Sequence, residues 1–246
     1  MKHITPRLIA AGSTLLLAAS AQAGVSFSTS PTISSWLGTP AYVSLSNANL
    51  GGASVAQGTP GITGSYGLLA ETFTPSSTFQ LDSFSILLAV NNASTYQIHL
   101  YDLGPAGTVP VGASASYSAG TDLFSGLTIS PSTSSGAVQG IFSLSGADQV
   151  TLNAGEQYAI ELWTPSAAGS AGITWYRSAS AATPDPGGQM FSGGDAAGLR
   201  QTLNLNGQAG GAPRTGALAL YAVVPEPTSL SLLGLGAMAL VIRRRK

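Results

Sequence analysis

Tyr96-Gln97-Ile98-His99-Leu100-Tyr101 and Tyr158-Ala159-Ile160-Glu161-Leu162-Trp163 decide the fold. In the first, Tyr96, Ile98 and Leu100 alternate with Gln97, His99 and Tyr101. In the second, Tyr158, Ile160 and Leu162 alternate with Ala159, Glu161 and Trp163. A period of two sends successive side chains to opposite faces of an extended chain, so both segments read as strands with one apolar face. Next in importance is Phe79 to Val90. Phe79 and Leu81 are in one phase and Phe84, Ile86, Leu88 and Val90 in the other, and the slip at Asp82-Ser83 predicts a β-bulge or bend.

Working outward, strands are expected over Tyr42–Ser46, Leu69–Thr74, Asp122–Phe124, Val138–Leu144, Gln149–Leu152, Ile173–Arg177, Gln189–Phe191, Leu199–Leu205 and Ala217–Val224. The stretches Ser130–Gly136, Ala179–Gly188 and Asn206–Gly216 read as Ser/Gly/Pro loops, and Ser26–Pro40 as a loose entry segment. About ten to twelve short strands in one body predict an all-β, antiparallel β-sandwich, jelly-roll-like, with acids and Ser/Thr facing water. That body spans residues 24–222 as one domain.

Composition excludes several classes of function. Only 8% of the 246 residues are charged, the net charge is −1, and there is no cysteine. Disulfide frameworks, thiolate catalysis and Cys-ligated zinc are therefore out, as is a basic nucleic-acid binder. Most bases sit at the termini. Between Gly24 and Val224 nine acids face three bases (Arg177, Arg200 and Arg214), a net charge of −6 with no lysine. Such a surface repels nucleic acid and anionic lipid and keeps an exported domain soluble.

Both ends read as addresses. Residues 1–23 open with Lys2, His3 and Arg7, continue with an apolar stretch from Leu8 to Ala19, and close on Ala21-Gln22-Ala23. This is the pattern of a secretory signal peptide, with cleavage expected between Ala23 and Gly24. At the other end, Pro225-Glu226-Pro227 precedes an uncharged run from Thr228 to Ile242 and the cluster Arg243-Arg244-Arg245-Lys246. A helix of that run would be about 22 Å long, against a hydrocarbon core of about 30 Å. Such a transmembrane helix is short for a permanent span and suited to a temporary one, with the basic tail retained on the cytoplasmic side. Gly234, Gly236 and Ala239 match the letters of a dinucleotide turn, but no strand–turn–helix unit fits there. The prolines hold the Glu226 site extended.

This tripartite order at residues 223–246 resembles the C-terminal sorting signal of the PEP-CTERM class, proteins of Gram-negative bacteria processed by exosortases. The resemblance implies that Pro225, Glu226 and Pro227 are recognised by the exosortase as substrate residues and that the segment after them is removed. It also implies export through the inner membrane, transient anchoring there, and release to the cell surface or outside the cell. The strand pattern around Ile160–Trp163, Ile173–Tyr176 and Leu218–Tyr221 is similar to the β-sandwich ectodomains often carried by this class.

Chemistry within the body is sparse. Glu156 and Glu161, an odd number of positions apart, fall on opposite faces of a regular strand and do not converge on one bond. His99 is the one histidine left after leader removal. Asp102 lies at odd spacing from it, and no Gly-x-Ser-x-Gly elbow exists. No catalytic residue, metal site or cofactor is assigned. Asp185 and Asp195 in glycine-rich loops leave calcium open beside plain turn formation, and Asn92-Ala93-Ser94 fits a glycosylation sequon of little weight in a bacterial host. Trp163, Trp175 and Tyr176 form a candidate glycan platform, with Trp163 the ring expected to face outward; packing of these rings inside the sandwich is the competing reading. The expected function is non-enzymatic: a component of an exopolysaccharide or biofilm layer. The alternative is a carbohydrate-binding module, and a hydrolase comes last.

Overall fold

The computed structural model describes residues 24–32, 34–45, 55–56, 68–91, 93–112, 116–124, 126–134, 136–163, 172–178, 188–193, 200–202 and 215–223. Among these described residues, seventeen strands run in the order β1 (Gly24–Ser30), β2 (Tyr42–Val43), β3 (Val55–Ala56), β4 (Leu68–Phe73), β5 (Phe79–Val90), β6 (Tyr96–Pro105), β7 (Ser116–Tyr117), β8 (Thr121–Asp122), β9 (Leu127–Ile129) and β10 (Val138–Ser145). After a 3-10 turn at Gly146–Asp148 come β11 (Thr151–Leu152), β12 (Glu156–Trp163), β13 (Ile173–Trp175), β14 (Arg177–Ser178), β15 (Met190–Gly193), β16 (Arg200–Thr202) and β17 (Leu218–Ala222).

Two antiparallel sheets form the body. The first has the order β1-β10-β5-β17-β2, with β11 and β13 also paired to β5. The second has the order β7-β16-β15-β4-β12-β6-β8, with β9 paired to β6. The alternating segments account for the layer between them. Phe84, Ile86, Leu88 and Val90 of β5 meet Ile98 and Leu100 of β6 and Ile160 and Leu162 of β12 in one core, all fully buried. Phe84 and Phe142 are register partners on β5 and β10, and their rings stack at 4.4 Å and 6°. The expected bulge is present: Tyr221 pairs with Ser83 and Ala222 with Leu81, so Asp82 is the extra residue on β5.

Three expectations need correction. The entry segment is not loose at its start, because Gly24–Ser30 forms a full edge strand in register with Ser145–Gln139. Nor do the outer faces simply meet water. A second cluster of Leu68, Ala70, Tyr117, Ala159 and Phe191 covers the second sheet, and Trp36, Leu87, Ala217 and Ala219 form a third on the first. As a result Glu161 is buried rather than solvated; Glu71, in phase with Leu69 and Phe73, is buried between the sheets, where it accepts Gly216 N–H at 2.9 Å, and Asp148 is buried in the 3-10 turn. The expected strand end Ala217–Val224 is shorter than predicted, since pairing stops at Ala222 with one further backbone hydrogen bond from Val223 N–H to Gln80 O at 2.8 Å.

Candidate functional site

Two features of the sequence lead to candidate sites, and the fold places them differently. The first is the exit of the chain. β17 is an interior strand, held between β5 and β2. Leu218 and Leu220 are fully buried, and Leu218 N–H donates to Ser44 Oγ at 2.9 Å. The sheet thus grips the chain until Val223, and Pro225 follows two residues later. Pro225, Glu226, Pro227, the run Thr228–Ile242 and the basic tail Arg243–Lys246 lie outside the described residues, as does Ala23; Gly24 is the first residue of β1. Among the described residues no helix is long and apolar enough to cross a membrane. Asn92, Asp185 and Asp195 also lie outside the described residues.

The second feature is a polar and aromatic cluster on the outer face of the second sheet. Strand alternation puts His99 and Tyr101 of β6 on this face, and the register sets Glu161 of β12 opposite His99. Pairing of β6 with β8 sets Asp122 opposite Tyr101. His99 Nδ1 lies 2.7 Å from Asp122 Oδ2, while Asp122 Oδ1 accepts the backbone N–H groups of Leu100 at 3.2 Å and Phe124 at 3.0 Å. The carboxylate is therefore fixed by three contacts and orients the imidazole. The ring stacks on Tyr101 at 5.6 Å and 10°, with Trp163 at 6.5 Å. Glu161, fully buried, accepts the Tyr117 hydroxyl at 2.6 Å, and the Tyr117 ring packs edge-on to Phe191 at 4.8 Å.

This arrangement corrects the sequence view of His99. Its acidic partner is Asp122, from a neighbouring strand, and Asp102 instead accepts Gly104 N–H at 2.9 Å. Among the described residues His99 Nε2 is buried without a hydrogen-bond partner, and the cavity of about 230 Å³ lined by Asp102, Thr108 and Tyr117 does not include His99. A general base needs its free nitrogen within reach of a substrate proton. Among the described residues no cluster of three metal-ligating side chains forms.

The three rings of the candidate glycan platform do not meet. Trp163 is half-buried on the outer face of the second sheet, packed against the Leu68–Phe191 cluster. Trp175 is 1% exposed and lies between the sheets, donating Nε1–H to Ala217 O at 3.2 Å, so it is removed from any platform. Tyr176, one residue on, turns to the opposite side and packs with Trp36 and Leu87 on the outer face of the first sheet. The alternation that pairs β13 with β5 requires this division. The rings that do stand together are His99, Tyr101 and Trp163. Alternation put His99 and Tyr101 on one face of their strand and Trp163 on the outward face of another, but it did not show that the two strands are neighbours and had no signal for Asp122 or Tyr117, whose strands are two residues long.

Comparison with known proteins adds one finding. The model of the PEP-CTERM protein-sorting motif matches residues 223–246. No curated protein and no solved structure matches the chain. The chain thus carries the sorting signal of exosortase substrates, which marks it for export and transient membrane anchoring before sorting to the cell surface.

Proposed function

We propose that this chain is a non-enzymatic structural component of an extracellular polysaccharide or biofilm layer, built as a jelly-roll-like sandwich. A signal peptide ending at Ala23 exports it, and the uncharged segment 228–242 holds it briefly in the inner membrane. The observation that carries this reading is the sorting motif at residues 223–246 beginning where the sheet ends. The body fits between its two addresses: the first strand starts at Gly24 and the last hydrogen-bonded residue is Val223. Cutting at either address leaves every strand of the described residues whole. A body with nine acids and no lysine also suits a protein that must leave an anionic membrane surface.

Carbohydrate recognition is the second reading, favoured by one observation. Trp163, half-buried beside the His99–Asp122 pair, sets one partly exposed ring near the carboxylate of Asp122, which pairs ring surface with a hydrogen-bond acceptor as sugar-binding sites do. The mass of the protein recovered from its native host tests the first step, with loss of everything after the Pro225-Glu226-Pro227 site expected. A glycan panel then separates the readings. No retention, together with loss of matrix in a deletion strain, supports scaffolding. Saturable binding abolished by Trp163→Ala replaces it with recognition.

A further inference from the structure

The first sheet has one long open edge. β1 pairs with β10 on one side, and on its other side no strand is paired among the described residues. The other terminal strands of the two main sheets, β2, β7 and β8, are each two residues long, whereas β1 has seven. In an antiparallel strand every second residue directs both its N–H and its C=O away from its partner, so the outer side of β1 presents a row of backbone donors and acceptors. Folded proteins ordinarily blunt such an edge with a charge, an internal proline or a bulge. Gly24-Val25-Ser26-Phe27-Ser28-Thr29-Ser30 contains no charged residue and no proline, and the register with β10 is continuous. The irregular registers of the sheets fall instead at Tyr221/Ala222 and Gln157/Tyr158. A cleft of about 640 Å³ runs beside this edge, between β1 and the chain from Thr128 to Ser134, and no charged side chain lines it.

From these features we infer that β1 is an assembly edge, and that its occupant is β1 of a second copy, added antiparallel across a two-fold axis. Two properties select a second copy. The strand is self-complementary about its centre: with Phe27 on the axis, Gly24 meets Ser30, Val25 meets Thr29 and Ser26 meets Ser28 of the other copy. Such a pair sets Phe27 against Phe27 and serine against serine with no charged side chains opposed, an arrangement that favours a cross-strand match. The second property is electrostatic. Bodies carrying a net charge of −6 repel one another, and a strand without charged side chains beside a cleft without them is where two of them meet with least repulsion, the α-ammonium groups that cleavage leaves on Gly24 lying at opposite ends of the paired strands. The Phe27 rings then join an aromatic row already present, since each packs edge-on to Phe142 at 5.0 Å. A two-fold pair of this kind is isologous and closes on itself.

Charge substitution on the exposed side of β1 tests this directly. Ser26 and Ser28 are exposed, away from the half-buried Val25 and Phe27. Sedimentation of the protein recovered from its native host, over a concentration series reaching about 1 mM, is expected to show a monomer–dimer equilibrium. The double variant Ser26→Lys/Ser28→Lys sets lysines opposite lysines and is expected to weaken the dimer about tenfold; Ser26→Glu/Ser28→Glu does the same. Mixing the two variants restores dimer, because each lysine then faces a glutamate. A wild-type protein that stays monomeric throughout overturns the inference. So does a lysine variant that dimerises like wild type, or a mixture that fails to recover dimer. Retention of a neutral glycan by a purely monomeric protein assigns the cleft to another ligand and has the same effect.

Discussion

Ending the chain at Gly216 rather than at Val224 removes β17 from the interior of its sheet, and the cost follows from what that strand buries and from the donors it satisfies. Leu218 and Leu220 are fully buried, and each contributes about 1.5–3 kcal/mol of transfer free energy. Ala217 O is the acceptor for Leu87 N–H at 3.2 Å and Trp175 Nε1–H at 3.2 Å, and Leu218 O accepts from Ser44 N–H at 3.0 Å. Each of these three buried donors, left without its acceptor, costs about 1–3 kcal/mol. The loss is therefore about 6 kcal/mol or more, comparable with the whole stability of a domain, about 5–15 kcal/mol. A chain of residues 24–216 is expected to lack a cooperative unfolding transition, while one of residues 24–224 keeps it. Thermal unfolding followed by near-ultraviolet circular dichroism measures both. Cooperative unfolding of the shorter chain within about 5 °C of the longer would refute the reasoning. The functional meaning is direct: a cut at the sorting motif releases an intact sandwich, and a cut inside β17 does not.

Three further outcomes are expected. Gly140→Ala places a methyl group 2.7 Å from Leu88 Cδ2 and 3.0 Å from Phe27, and should lower stability by about 1–3 kcal/mol in denaturant titration; an unchanged midpoint counts against the tight packing of β10 on β5. Tyr117→Phe deletes the 2.6 Å hydrogen bond to buried Glu161 and should cost about 1.5–3 kcal/mol, with Tyr101→Phe as a control that leaves that bond intact. Alkali should destabilise the fold. Burial pushes the hydroxyls of Tyr96, Tyr158 and Tyr221 above their ordinary range, so the folded state keeps protons that the unfolded chain releases. Stability is thus full below about pH 10 and falls as pH rises beyond it. Tyr96→Phe should flatten that fall, and an equally steep decline in the variant would remove Tyr96 from the account.

The inner layer was legible in the sequence because its alternation is local. Phe84, Ile86, Leu88 and Val90 announce a buried face without reference to any other strand, and the phase slip at Asp82 marks the bulge within one segment. β1 carries the same signal in Val25 and Phe27, hidden among Ser and Thr that resemble loop composition. The outer faces were not legible for a different reason. Glu161 is buried because Tyr117 folds over it from a two-residue strand, too short to show any periodicity. His99 finds Asp122 through the register of β6 on β8, a pairing 23 residues apart that spacing along one strand cannot report. Trp175 and Tyr176 divided between inside and outside as alternation requires, yet which ring went inward depended on how β13 docks on β5.

The covering of both outer faces bears on how this protein meets its surroundings. A sandwich used for recognition through a sheet face leaves rings standing free on that face. Here the second sheet carries Tyr117 and Phe191 across its outer surface, the first carries Trp36 with Tyr176 and Tyr221, and even Trp163 is half-buried by its neighbours. Among the described residues, broad apolar or aromatic area is thereby withdrawn from both faces, and the long open feature that remains is the backbone edge of β1. Backbone edges discriminate poorly among sugars and well among strands, since their hydrogen-bond spacing matches another extended chain. Among the described residues, the distribution of covered faces and one open edge therefore favours association between protein copies over glycan recognition through a sheet face.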